Sequence, residues 1–112
     1  QYITPVDEPG FAFAGLWDRW KGDDRTINSC TIVTSAAPAG MDEVHSRMPV
    51  HLTTDQVSRW IDNTTDPEEL SGMLAPALKM PLLVTPMSSY VNNSRNKGEA
   101  CLEVIGESRI FH

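Results

Sequence analysis

The segment Val44-His45-Ser46-Arg47-Met48-Pro49-Val50 puts an imidazole and a guanidinium two residues apart, just before an apolar stretch. In an extended chain, residues two apart share a face. A ring that titrates near neutrality and a permanent cation would then look into one space. That pair suits an anionic ligand plus a proton transfer. The plainer reading of His45 is a ring that hydrogen-bonds a loop, and that of Arg47 a surface cation. A second polar group follows at Val91-Asn92-Asn93, with Arg95 and Asn96 close behind. Asn tolerates left-handed backbone, so turn chemistry is enough to explain it. Amide groups and Arg95 equally offer donors to a phosphate backbone.

Other reactive residue types carry less. His51 lies six residues from His45, and no Cys or acid completes a zinc set at standard spacing. No metal site and no cofactor is expected. Cys30 and Cys101 both read as small buried hydrophobes rather than thiolates. Trp17 and Trp20 flank Asp18-Arg19, an arrangement that can stack bases. The alternative makes Trp17 a core residue and Trp20 a half-buried cover. Trp17 is read as core, and Trp20 stays open between the two.

Composition bounds these readings. A chain of 112 residues supports one domain. A net charge of −6 argues against coating nucleic acid by charge alone, though not against a local basic groove. Arg19, Lys21 and Arg25 lie close together, as do Arg95 and Lys97. Two cysteines are too few for a disulfide scaffold and point to a reduced, cytoplasmic setting. No apolar run approaches the ~20 residues that span a bilayer, and no basic and apolar leader opens the chain. Because the first residue is Gln1 rather than Met, a fragment, a processed product or a trimmed chain is expected.

The elements that position these residues follow from local pattern. Phe11 to Trp17 reads as a buried strand, and Ser29 to Thr34 as its β-branched hairpin partner, with Gly22-Asp23-Asp24 as the turn. Ala36 to Gly40 is a loop, Met41 to His45 a turn of helix, and Met48 to Leu52 a third strand. Thr53-Thr54-Asp55-Gln56 is a capping box, with Leu52 and Val57 at the staple positions. Val57, Trp60 and Ile61 make one apolar helix face. Asp66-Pro67-Glu68-Glu69 starts a second short helix, which Pro76 limits. Pro81 to Met87 and Ala100 to Ile105 read as further strands around the turn at Asn92 to Gly98. The fold class is α+β, mostly antiparallel strand, with two short helices.

In order along the chain, these pieces resemble the C-terminal part of the SRAP family, the SOS response-associated peptidases. Phe11-Ala12-Phe13-Ala14-Gly15-Leu16-Trp17 resembles its "FAGLW" strand, and Cys30 to Ala37 its "TIVTTAA" strand. Val44 to Pro49 resembles its "IHxRMP" signature. Trp60-Ile61 resembles the "WL" of the next helix, and Val91-Asn92-Asn93 through Asn96 the closing "VNNxxN" turn. One such piece is weak; five in order are specific.

The resemblance implies a barrel-like fold, incomplete in this chain, with residues 1–112 as the C-terminal portion of one SRAP domain. It also implies a function. An N-terminal Cys captures the aldehyde of an abasic site in single-stranded DNA, assisted by a Glu, an Asn and the signature His, and the family trims its own N-terminus. On that basis His45 is the catalytic His and Arg47 holds a phosphate. Asn92, Asn93 and Arg95 would contact DNA. The family's opening "MCGR", its Asn-Ala-Arg segment and its "FxEW" strand have no counterpart here. Gln1-Tyr2-Ile3 resembles the "QPYYI" strand just past that Glu. The chain alone is therefore expected to be catalytically inactive, with unpaired strands open to another polypeptide. The alternative is a non-enzymatic remnant, or a subunit completed by another chain.

Overall fold

A computed structural model describes residues 1–112. Nine strands form in chain order. They are β1 (Tyr2–Pro5), β2 (Ala12–Phe13), β3 (Gly15–Lys21), β4 (Thr26–Ile32), β5 (Thr34–Ala36), β6 (Arg47–Pro49), β7 (His51–Leu52), β8 (Leu82–Thr85) and β9 (Arg109–Phe111). Helices α1 (Thr54–Ile61) and α2 (Pro67–Gly72) lie between β7 and β8. All strand pairings are antiparallel, in one three-stranded and three two-stranded sheets, with no closed barrel. The α+β expectation therefore holds.

Residues 11–79 form one compact unit. Its organising feature is a junction where three chain segments exchange partners. β2 and β3 are one segment interrupted at Ala14, β4 and β5 one interrupted at Val33, and β6 and β7 one interrupted at Val50. Each half pairs with a different neighbour: β2 with β7, β3 with β4, and β5 with β6. At the crossing, Ala14 N–H donates to the Val50 carbonyl at 2.8 Å, Val50 N–H to Val33 at 2.9 Å, and Val33 N–H to Ala14 at 2.9 Å. The ring of three bonds satisfies backbone groups that a break in a strand would otherwise orphan. Ala14 and Val50 are buried there with Leu52 and Met73, and Val57, Trp60, Leu70 and Leu74 close over them.

The helices are placed by local chemistry. Thr53 Oγ1 accepts from Gln56 N, and Gln56 Oε1 accepts from Thr53 N, which completes the expected capping box. Trp60 Nε1 donates to the Gly15 carbonyl at 2.9 Å, tying α1 to the base of the hairpin. Ile61, expected on that face, is 74% exposed because it ends the helix. Asp66 caps α2, with Pro67 at its first position. Arg59 grips Glu69 through two bonds, at 2.7 and 2.6 Å, and so joins the two helices. In the following loop, Lys79 N–H donates to Nε2 of buried His51 at 2.9 Å. Lys79 Nζ donates to the Met73 carbonyl at 2.6 Å.

Residues 1–10 and 80–112 form the second unit. β8 is its central strand, with β1 and β9 on either side, and Leu82 and Val84 point into its core. The β8 strand falls within the expected Pro81 to Met87. The expected strand at Ala100 to Ile105 is instead a 3-10 turn over Glu99–Leu102, and only Val104 bridges, to Met87. The strand that pairs with β8 is β9, three residues at the C-terminal end.

The β3–β4 hairpin corrects two burial expectations, those for Trp17 and Cys30. β3 and β4 pair from Gly15↔Ile32 to Lys21↔Thr26, as the hairpin reading requires. The ribbon runs outward from the Ala14 junction, and every residue of both strands is exposed. Trp17, expected in the core, is 71% exposed, and Cys30 opposite it is exposed too. Cys101 is half-buried. Trp20 is 56% exposed and its indole lies against Gly22, so a side chain at Gly22 would collide with the ring.

Candidate functional site

His45 lies in the loop between a 3-10 turn (Met41–Glu43) and β6. Gly40 opens that turn at φ 92°, a conformation that favours glycine, and the Asp42 carboxylate accepts its amide N–H at 2.9 Å. Met41 is buried and anchors the turn. The Met41 carbonyl then accepts from His45 N–H at 3.2 Å, and Ala37 N–H donates to Ser46 O at 2.9 Å. The loop is thus held from both sides while the His45 side chain stays exposed.

The imidazole turns back on its own chain. Nδ1 lies 2.9 Å from the Arg47 carbonyl oxygen and 3.0 Å from the Arg47 amide nitrogen. A neutral ring protonated at Nδ1 donates to the Arg47 carbonyl and leaves the Nε2 lone pair free to take a proton. A doubly protonated ring donates from Nδ1 to the Arg47 carbonyl. Both charge states therefore keep a local partner, and Nε2 is left to exchange a proton with a bound molecule. This arrangement meets the plainer reading of a ring that hydrogen-bonds a loop.

Arg47 behaves differently from the sequence picture. Its guanidinium reaches diagonally across to β5, where Nη2 donates to the Thr34 carbonyl at 2.8 Å and to Thr34 Oγ1 at 2.6 Å. Nε also donates to Thr34 Oγ1, at 3.2 Å. These bonds fix the plane of the guanidinium and leave Nη1 out of the clasp. His45 lies outside the strand, and its ring meets the backbone of Arg47 rather than its guanidinium. The expected shared face is therefore replaced by a loop ring and a clamped strand cation. Thr34, the residue that clamps it, was not singled out from sequence; its only signal was a hydroxyl in a β-branched strand.

Asn92, Asn93 and Arg95 belong to the other unit. Asn92 ends a 3-10 turn over Ser89–Asn92, which Ser88 caps. Asn93 Oδ1 accepts from Arg95 N–H at 3.0 Å, and Asn96 Nδ2 donates to the Tyr90 carbonyl at 2.7 Å. The side chains of Asn93 and Asn96 thus brace the turn. No residue here other than Gly adopts positive φ; Gly98 does, at 86°. The amides serve as hydrogen-bonding struts, not as left-handed turn residues. Asn92 and Arg95 are exposed.

The sequence matches the family described as SOS response associated peptidase (SRAP) over residues 1–94. It is 34% identical over 95 residues to the abasic site processing protein YoqW of Bacillus subtilis, covering 83% of this chain and 42% of that protein. The abasic site processing protein HMCES of Xenopus tropicalis is 33% identical over 95 residues, covering 82% of this chain and 28% of that protein. A crystal structure of a Bacteroides thetaiotaomicron protein superimposes with a TM-score of 0.72 at 25% identity, over 93% of this chain and 47% of that one.

The antiparallel fold and the His45 segment thus define an SRAP-type chain. The protein belongs to the SOS response associated peptidase family. It spans less than half the length of the curated relatives it matches. His45, Arg47, Asn92 and Asn93 lie inside the matched residues, and Arg95 lies one residue past them.

Proposed function

We propose that this chain is the C-terminal portion of a single SRAP domain, in a cytoplasmic protein that senses abasic sites in single-stranded DNA. In the complete protein an N-terminal Cys, absent here, would crosslink to the site. Its amine and thiol would condense with the open-ring aldehyde to a thiazolidine, releasing one water. The same apparatus would give the protein its autopeptidase activity. His45 would carry the proton, and Arg47, Asn92, Asn93 and Arg95 would hold the DNA backbone. The reading is supported by likeness to proteins named for abasic site processing. It is carried by one geometric observation: the His45 ring is held at Nδ1 by the Arg47 carbonyl, a partner that suits either charge state, with Nε2 open.

The test joins this chain to the part of YoqW that it does not match and presents single-stranded DNA containing one abasic site. A denaturant-stable protein–DNA adduct is expected from the folded chimera and none from the chain alone. A folded chimera that binds this DNA and forms no adduct overturns the reading. A second reading, a non-enzymatic subunit completed by another chain, draws on the exposed β3–β4 ribbon.

A further inference from the structure

Strand alternation gives the β3–β4 ribbon two faces. One carries Trp17 and Arg19, opposite Cys30 and Asn28; the other carries Leu16 and Trp20, opposite Thr31 and Ile27. Leu16, Trp17, Trp20, Ile27 and Ile32 are all large, apolar and exposed, and they are spread over both faces. Neither long edge of the ribbon has a partner strand. A two-stranded ribbon in water is marginal without an apolar face packed on something. Unpaired edges and contiguous exposed apolar surface both mark places where other polypeptide binds.

Three occupants can be weighed. Nucleic acid stacks on Trp, but Leu16, Ile27 and Ile32 offer no stacking surface, Asp18 repels phosphate, and Arg19 Nε is already bonded to Asn28 at 3.1 Å. A second copy related by a two-fold axis covers one face and one edge and leaves the other exposed. The third occupant follows from length. This chain accounts for 42% of YoqW, so more than half of that protein has no equivalent here. A polypeptide of that size is long enough to flank both edges and cover both faces.

We propose that the β3–β4 ribbon is the seat of a complementing polypeptide, corresponding to the part of the relatives that this chain does not span. It would add strands along the open edges and bury Trp17 on one side and Leu16 and Trp20 on the other. This inference rests on the reading that the chain is part of a larger domain, and names the surface where that domain is completed.

The test mixes the full chain with the unmatched part of YoqW, produced as a separate polypeptide. Size-exclusion chromatography with light scattering should give a one-to-one complex. Acrylamide quenching of tryptophan fluorescence should fall severalfold on mixing. Trp17→Asp and Trp20→Asp, on opposite faces, should each weaken the complex at least tenfold. Because both positions are exposed, the circular dichroism of the free variants should stay unchanged; should one misfold, Leu16→Asp or Ile32→Asp replaces it on the same face. Absence of any complex overturns the proposal. So does protection through self-association of the chain, protection by an undamaged single-stranded oligonucleotide, or sensitivity to only one of the two faces. A complex that forms and then fails to crosslink abasic DNA sinks the crosslinking function and leaves the ribbon's role standing.

Discussion

Nδ1 of His45 lies within hydrogen-bond distance of both the amide nitrogen and the carbonyl oxygen of Arg47, at 3.0 and 2.9 Å. The Arg47 carbonyl thus accepts from Nδ1–H in the neutral and in the charged ring alike, while the proton comes and goes at Nε2. The ring need not rotate to change protonation, which is what a proton shuttle requires.

That relationship predicts a kinetic split. In the chimera completed with the rest of YoqW, His45→Ala should slow adduct formation with abasic single-stranded DNA by about 10²–10⁴-fold, the usual range for a general acid–base group. Binding to the same DNA should change little, because the ring supplies no permanent charge. Single-turnover rates alongside equilibrium anisotropy check this. Unchanged rates remove His45 from the mechanism.

Arg47 should act through binding. A guanidinium stays protonated at any working pH and can hold a phosphate but not relay a proton. Thr34 already fixes its plane, so a phosphate contact at Nη1 would cost little further ordering. Arg47→Ala in the chimera should lower affinity most at low salt and flatten the salt slope by about one phosphate's worth. Thr34→Val separates the roles. If the clasp matters only for positioning, this change weakens binding while the slope keeps its phosphate. Affinity and slope that both survive Arg47→Ala would make the residue a strand clamp only.

Local chemistry was legible in the sequence, and long-range geometry was not. The capping box at Thr53 and Gln56 involves neighbours in the chain, so its residue types state its structure. The hairpin and its turn at Gly22 were legible for the same reason. The junction of Ala14, Val33 and Val50 was not. Its three bonds join residues far apart in sequence, and nothing about a single Ala or Val says that a strand will change partners there. Trp17 and Cys30 were misplaced because an apolar strand reads as buried, whereas burial depends on what packs against it. At the site, the His-x-Arg spacing was visible, but the turn of the ring onto Arg47 and the clasp by Thr34 depend on the loop and on β5.

Stability within the second unit should depend on Leu82, a fully buried side chain in the central strand β8. Leu82→Ala should cost about 2–5 kcal/mol, the range for a buried leucine that leaves a cavity. Urea unfolding followed by circular dichroism measures it. Ile110→Ala, at an exposed position on β9, is the control and should cost well under that. Equal losses from the two would mean that this sheet does not hold the unit together.

The last prediction concerns acid. His51 is 1% exposed, its ring sits edge-on to Phe11, and its Nε2 accepts the Lys79 amide N–H. Burial, and then the charge of Lys79, hold its pKa below the ordinary imidazole value. In the unfolded chain the ring titrates near 6.5, roughly the value of a free imidazole. Above that pH, folded and unfolded states both hold it neutral, and its contribution to stability is fully present. As pH falls below that value, the unfolded state binds the proton first, so the folded state loses ground until the pH passes through the folded pKa. Protonation at Nε2 also destroys the bond from Lys79, worth about 1 kcal/mol. Stability from urea unfolding should therefore begin to fall as the pH drops below about 6.5, before the carboxylates of Asp62 and Glu69, both held below their usual range, take up protons. His51→Gln keeps an acceptor for Lys79 N–H and cannot titrate, so this part of the acid loss should vanish. If the pH dependence is the same in the variant, His51 is not its source.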